Sequence, residues 1–245
     1  VPMGPAGVRP ISRDVNIDDH GHLSETYVEF LPKFAATWSF GARGESNVYA
    51  SVSRGYKSGG FNTQMFSDMK SDSYTVEEVA SYRPEQSWNY EAGTHLSLLD
   101  GGLAVEGALF FIQCRDQQLT VFPEGSGTGR RMTNAGRTRS IGGELSARWH
   151  TPVEGLSLSA SYGYTNARFR SYRSGGEDFR GKRIPYAPQN TFFASADYRI
   201  GMNGNVLNDV IFNVSCRGVG SIMWDDQNTV KQPFYALLGA SVTFE

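Results

Sequence analysis

The sequence lacks a long apolar run. None of its 245 residues lie in a segment with the roughly 18–20 uninterrupted apolar residues that a membrane-spanning helix needs, and the hydrophobic fraction is only 39%. A helical membrane protein is therefore excluded. A membrane β-barrel is not excluded, because only every second residue of its strands meets lipid.

Net charge and cysteine are also scarce. The formal net charge of -2 gives no support for a nucleic-acid partner. The two cysteines, Cys114 and Cys216, fall in strands that are not expected to be neighbours, which favours isolated thiols over a disulfide or a metal site. The segment after Val1 is rich in proline and glycine and lacks the basic and apolar tract of a signal peptide. An outer-membrane protein with this sequence is expected to be processed or an internal fragment.

Aromatic residues and glycine are abundant. Aromatics make up 13% of the chain and there are 28 glycines, which suits the aromatic girdles and tight turns of a membrane barrel and also suits a secreted β-sandwich. In residues 47–62 the small and apolar side chains of Val48, Ala50 and Val52 share one face, and a rim with Tyr56 follows. A short apolar band with period two and an aromatic end is typical of a membrane-spanning β-strand.

This alternating pattern recurs along the chain and predicts an all-β, antiparallel fold. Residues 1–26 read as a loop. Nine strands are predicted at about 27–40, 46–57, 85–99, 103–121, 134–150, 156–168, 188–200, 205–218 and 234–245.

The connections between the predicted strands alternate in length. Short turns fall near 41–45, 100–102, 152–155 and 201–204, and long loops near 58–84, 122–133, 169–187 and 219–233. Short periplasmic turns and long extracellular loops are the arrangement of outer-membrane barrels. A soluble sandwich has no reason to sort its loops in this way, although its outward face would also carry charged residues.

Five segments resemble the barrel of TonB-dependent outer-membrane receptors. They are LPKF at 31–34, YASVSRGYKSGGFN at 49–62, PEQSWNYEAG at 84–93, NAGRTRSIGGE at 134–144 and PYAP at 185–188. The resemblance implies a transmembrane β-barrel of about 22 strands, of which about nine are present here. It also implies an extracellular loop segment at 1–26 and a partial receptor barrel at 27–245, with the plug and the terminal strands absent.

The resemblance further implies a transport function in the bacterial outer membrane. The expected activity is TonB-energised import of a scarce nutrient, with a ferric siderophore or another iron complex as the leading candidate. The expected partners are this small molecule or metal chelate, outer-membrane lipid, and TonB through missing N-terminal parts; no nucleic acid and no cofactor are expected. The alternative is a soluble, secreted antiparallel β module for binding or adhesion, which the ordered motifs and the loop asymmetry disfavour.

No catalytic constellation is present, so an enzyme is not predicted. The histidines of the segment 18–22 are read as part of a solvated loop rather than a metal site. Loop arginines are the best ligand candidates, because guanidinium groups suit carboxylate or catecholate oxygens; surface charge that pairs with anionic lipopolysaccharide is the alternative. The candidates are Arg130, Arg131, Arg170, Arg173 and Arg180, with the aromatic residues Tyr56, Phe61, Phe66 and Tyr172 as possible stacking partners.

Overall fold

The computed structural model describes residues 25–42, 44–62, 81–121, 131–174, 176–202 and 208–245. The predicted loop 1–26 falls outside this part except for its last two positions. Among the described residues, no helix is long and apolar enough to cross a membrane. They contain these strands: β1 (Lys33–Phe40), β2 (Ser46–Lys57), β3 (Gly60–Phe61), β4 (Ser81–Tyr82), β5 (Glu85–Leu98), β6 (Leu103–Val121), β7 (Arg131–His150), β8 (Leu156–Ser171), β9 (Arg173–Ser174), β10 (Glu177–Asp178), β11 (Asn190–Gly201), β12 (Asp209–Val219), β13 (Ile222–Met223), β14 (Lys231–Gln232) and β15 (Tyr235–Phe244).

The nine long strands form one antiparallel sheet in chain order. The order is β1-β2-β5-β6-β7-β8-β11-β12-β15, and the two-residue strands pair as three small hairpins, β3–β4, β9–β10 and β13–β14. Among the described residues, β1 and β15 are the edges of this sheet. All nine predicted strands and their antiparallel arrangement are thus confirmed.

One strand begins later than predicted. β1 starts at Lys33, whereas the expected start was near residue 27. The segment 25–32 runs beside β2 without forming a regular ladder of hydrogen bonds. The N–H of Arg54 donates a backbone hydrogen bond to the carbonyl of Pro32 at 3.0 Å. Because Pro32 has no N–H to donate, a regular ladder begins only after it.

The register gives the sheet one apolar face and one polar face. Directly paired positions keep the same face from strand to strand, as in the apolar row Phe34, Val52, Tyr90, Phe111 and Ile141. Many of these side chains are exposed, including Leu109 at 70% and Leu238 at 83%. An apolar face of this extent is unusual for a surface in contact with water.

The short turns lie at one end of the sheet, and the three small hairpins lie at the opposite end. At one of them Gly155 has a φ of +78°, and a Cβ there would lie 2.1 Å from the carbonyl oxygen of Arg199. Only glycine combines the left-handed conformation with this close approach. The turn between β7 and β8 therefore packs directly against the end of β11.

The buried core lies at the long-loop end, on the polar side of the sheet. It comprises Ala135, Phe169, Tyr172, Phe179 and Ile184, with Leu119 and Ala167 packed against it. Phe169 is fully buried and pairs in register with Thr138, which is on the polar face. The loop after β8 therefore folds over the polar face of the nine-stranded sheet. This sheet is called the wall below, and its polar face the inner face.

Candidate functional site

Polar side chains on the inner face hold one another in fixed positions. Tyr49 donates a hydrogen bond from its hydroxyl to Oε1 of Glu91 at 2.8 Å, and its ring stacks on His95 with centroids 5.4 Å apart. Further along the sheet, Nδ2 of Asn213 donates to Oδ1 of Asp197 at 2.7 Å. Glu91 and Asp197 both lie on the polar face of the sheet, opposite to the row that contains Tyr90.

Amide side chains complete the hydrogen bonding of the wall where its strands end. The N–H of Arg83 donates to Oδ1 of Asn134 at 2.7 Å, and Nδ2 of Asn134 donates to the carbonyls of Arg83 and Asp116 at 2.9 and 2.7 Å. Asn62 and the backbone of Met132 exchange two bonds, at 2.8 and 2.9 Å. Each amide therefore substitutes for a missing backbone group of a neighbouring strand.

Gln118 adds a third connection in the same region. Its N–H donates to Oε2 of Glu85 at 2.8 Å, and its buried Nε2 donates to the carbonyls of Ser58 and Arg83 at 2.7 and 3.2 Å. Asn62, Glu85 and Asn134 all belong to the segments that carry the family resemblance. In this structure those residues fasten the loop between β2 and β5 to β6 and β7.

Two long loops are joined into one unit, called the paired loops below: residues 172–189 and residues 220–234. Arg183 is at its centre and donates from Nη1 to Oγ of Ser221 at 3.1 Å and from Nη2 to the Ser221 carbonyl at 2.8 Å. Its N–H donates to Oδ1 of Asn228 at 2.7 Å, and Nδ2 of Asn228 returns a bond to the Arg183 carbonyl at 2.9 Å.

Further contacts extend the joint between the paired loops. The N–H of Tyr186 donates to the carbonyl of Met223 at 2.9 Å, and the Tyr186 ring meets Trp224 edge-on with centroids 5.5 Å apart. Nζ of Lys182 donates to the carbonyl of Gln227 at 2.8 Å. The paired loops therefore present one continuous surface at the long-loop end.

Charged groups inside the paired loops have shifted pKa values. Burial, together with the nearby Arg168, lowers the pKa of Arg183. Burial raises the pKa of Asp226; a hydrogen bond from Tyr172 opposes this rise, and the charge of Asp225 adds to it. For Asp225 burial also acts upwards, but hydrogen bonds from Thr229 and the neighbouring backbone prevail and lower its pKa. Two adjacent carboxyl groups thus differ in proton affinity.

The predicted arginine candidates are partly brought together. Arg170 is exposed beside the core, and Arg173 is exposed on β9, where its Nη2 lies 3.7 Å from Oδ2 of Asp178. Arg180 is also exposed, and its N–H donates to Oδ1 of the same Asp178 at 3.0 Å. Arg173 and Arg180 therefore lie on one loop around Asp178, and Arg170 lies at the end of β8 just before it. Arg131 begins β7, with its side chain outside the described part, and Arg130 lies wholly outside it.

The aromatic candidates do not join this group. Tyr56 lies on the apolar face of β2, paired with Gln86, and Phe61 lies on β3; β5, β6 and β7 separate β2 from β8. Tyr172 is only 5% exposed, and its ring packs in the core against Phe169 and Phe179, so ligand stacking by Tyr172 stays a prediction. Phe66 lies outside the described residues.

The contacts of Arg183 and Asn228 were not predicted. Each residue lies in a polar loop without periodicity, and the two are joined only because β8, β11 and β12 bring their loops together. The described residues include no group of three His, Cys, Asp or Glu side chains that could hold a metal ion, and the segment 18–22 lies outside them.

An apolar outer face, a polar inner face and short turns opposite long paired loops define the wall of an outer-membrane-type β-barrel. The chain belongs to the family of the TonB dependent receptor-like beta-barrel, whose model matches residues 6–245. The nine strands are thus part of a larger barrel.

Curated relatives include the pesticin receptors of Yersinia enterocolitica and Yersinia pestis, each 26% identical over 203 residues. These matches cover 81% of this chain and 26% of each relative, so the chain spans about a quarter of their length.

Solved structures show the same fold. The ferric yersiniabactin uptake receptor FyuA from Yersinia pestis matches with a TM-score of 0.66 and 23% identity, over 87% of this chain and 29% of that one. The ferric citrate transporter FecA in its unliganded form matches with a TM-score of 0.61 and 24% identity, over 86% and 30%. The copper transporter OprC matches at 0.60 with 16% identity, over 82% and 29%.

Proposed function

We propose that this chain is the barrel part of an outer-membrane active transport receptor that imports a scarce nutrient, with a ferric siderophore or another iron complex as cargo and TonB as the energy-coupling partner. The observation that carries the proposal is the family match over residues 6–245. The likeness to a structure named as a ferric yersiniabactin uptake receptor supports a metal-chelate cargo.

The architecture suits this function. The paired loops lie at one end of the wall and carry the exposed side chains of Arg173 and Arg180, and the exposed Arg170 lies at the adjoining end of β8. Arginine binds carboxylate and catecholate oxygens through paired N–H groups, and these are the groups with which many iron chelators hold their metal. The polar inner face provides the hydrated path below. No catalytic role is proposed.

The exposed apolar face argues against the soluble binding module. A secreted antiparallel sheet covers its apolar face with a second layer. Here the described layer over the sheet covers its polar face near Phe169, while Leu109 and Val214 on the other face are 70% and 59% exposed. We therefore propose the bacterial outer membrane as the location, with lipid as the partner of this face.

Uptake by intact cells tests the proposal. A strain without the receptor gene is complemented with the full-length receptor, and import of radioactive iron is measured from ferric yersiniabactin, ferric citrate and a ferric catecholate. We expect the gene to restore import of one complex, and Arg170→Glu combined with Arg173→Glu to lower that import; Lys231→Glu on β14 is the matched control. If the strain imports every complex equally well with and without the gene, the iron-transport proposal is wrong.

A further inference from the structure

Arginines face one another across neighbouring strands on the apolar side of the wall. Arg115 on β6 pairs directly with Arg137 on β7, and Arg139 on β7 pairs directly with Arg168 on β8. Arg168 also pairs with Arg183 of the paired loops through an isolated bridge. We call the five residues the arginine face. Like charges placed directly opposite each other destabilise a sheet, so this arrangement calls for a compensating anion.

The described part of the chain does not supply that anion. The ion pairs found there engage other arginines, namely Arg54, Arg83, Arg173 and Arg199. Within the arginine face, Arg168 donates to Oδ1 of Asn166 at 2.8 Å and to the carbonyl of Gly181 at 2.6 Å, which are both neutral acceptors. The positive charge of Arg115, Arg137 and Arg139 therefore remains uncompensated within these residues.

The arginine face lies directly above the apolar belt. Two residues along β7 from Arg139 lies Ile141, in register with Phe111 and Tyr90, and the corresponding position on β8 is Asn166. Two residues of a β-strand span about 7 Å. A molecule that contacts both rows must therefore carry negative charge next to a long apolar part.

The opposite side of the wall is closed at this height. Cys114, Thr138 and Phe169, which alternate with the arginines along β6, β7 and β8, are all buried, and Phe169 belongs to the core that includes the loop after β8. A nutrient that passes along the inner face cannot reach the arginine face through this layer. The anion must come from the membrane side.

We infer that the arginine face is a docking surface for a phosphorylated glycolipid of the outer leaflet. The two cross-strand pairs, Arg115 with Arg137 and Arg139 with Arg168, provide two cationic positions for phosphates, to which guanidinium groups bind in a bidentate manner. The acyl chains lie along the apolar row below. The inference rests on the proposed outer-membrane location, in which the long loops face outwards.

Lipid titration of the purified full-length receptor tests this inference. The probes are lipid A with two phosphates, dephosphorylated lipid A and phosphatidylethanolamine, each in detergent micelles. We expect Arg137→Gln combined with Arg139→Gln to weaken binding of phosphorylated lipid A by about tenfold or more, since each lost charge-assisted contact contributes on this scale. Arg148→Gln, in the same strand but on the polar face near the short turns, should bind normally.

The design keeps folding and transport separate from lipid binding. Arg137→Lys combined with Arg139→Lys preserves the charge and should retain most of the binding even if the glutamine variant assembles poorly. Equal affinity of the wild type and the glutamine variant, equal binding of dephosphorylated lipid A, or displacement by millimolar inorganic phosphate overturns the inference. Iron uptake by the glutamine variant is expected to persist, so a receptor that binds lipid A but imports no iron complex contradicts the proposed function and not this one.

Discussion

At the residue scale, the paired loops place two neighbouring carboxyl groups in opposite environments. Asp226 has a raised pKa, so its neutral form is the one that the folded loop prefers. Its contribution to stability is complete below the ordinary value of 3.8 and is lost as the pH rises through the raised value. Asp225 has a lowered pKa, so its contribution is present above 3.8 and is lost only as the pH falls through the lowered value.

The two aspartates therefore predict opposite effects of the same substitution. At pH 7, Asp226→Asn should slow amide exchange in residues 220–234, because it removes a charge that the fold disfavours. Asp225→Asn should accelerate exchange there, because it weakens the acceptor for the N–H groups of Thr229 and Val230. Hydrogen-exchange mass spectrometry on the full-length receptor measures both.

The pH dependence provides the control for this pair. Below 3.8, Asp226→Asn should no longer differ from the wild type, because both side chains are then neutral. If both variants changed the rate of amide exchange in the same direction at pH 7, the opposite pKa shifts assigned to Asp225 and Asp226 would be contradicted.

At the scale of a single strand, β11 shows what alternation predicts well. Phe192, Ala194, Ala196 and Tyr198 share a face with their partners on β8 and β12, and Asp197 lies on the other face beside Asn213. This agrees with the sequence, because a strand with one buried face tolerates only one register. The alternation of apolar and polar residues indicates on which face of the sheet each side chain lies. It carries no information about contacts between loops.

Substitution at two adjacent positions of β11 tests which face of the sheet each residue lies on. Ala194→Arg should reduce the amount of assembled receptor, since arginine on the lipid face near the membrane centre costs about 2–4 kcal/mol. Ser195→Arg, one residue along and on the polar face, should assemble normally. The heat-dependent gel mobility of receptor from outer membranes reports folded barrel, and equal yields of the two variants would refute the assignment.

At the scale of the whole molecule, the distribution of turns defines the two sides of the wall. Residues 172–189 and 220–234 lie at one end, and the turn of residues 151–155 lies at the other. Open sheet edges cannot remain unpaired in lipid, so at the proposed membrane location β1 and β15 need further strands, as expected for part of a larger barrel.

Labelling of intact cells checks which end faces outwards. A cysteine introduced at Ser174 of β9 should react with a membrane-impermeant maleimide, and one introduced at Glu154 should react only after the outer membrane is permeabilised. The unsubstituted receptor gives the background from Cys114 and Cys216. If intact cells were labelled at Glu154→Cys and not at Ser174→Cys, the expected outward orientation of the long loops would be wrong.

Sequence patterns predicted the wall far better than the surface above it. Each of the nine strands was recognisable because its own residues alternate. The bond from Arg183 to Ser221 joins residues 38 positions apart, and the one from Asn134 to Arg83 joins residues 51 apart. Such contacts depend on which loops the sheet brings together, so a loop arginine could be named as a candidate while its partner could not.

The hydrogen bonds of Arg183 between the paired loops also affect how the loop sequences of such receptors can change during evolution. Residues 172–189 and 220–234 complete each other's hydrogen bonds, so a graft of the first loop alone would leave Ser221 and Asn228 facing unmatched groups. The two segments are expected to be inherited, lost or exchanged as a pair. The tip around β9 and β10 contributes few of these bonds, so it is the part that recombination and point mutation can vary independently.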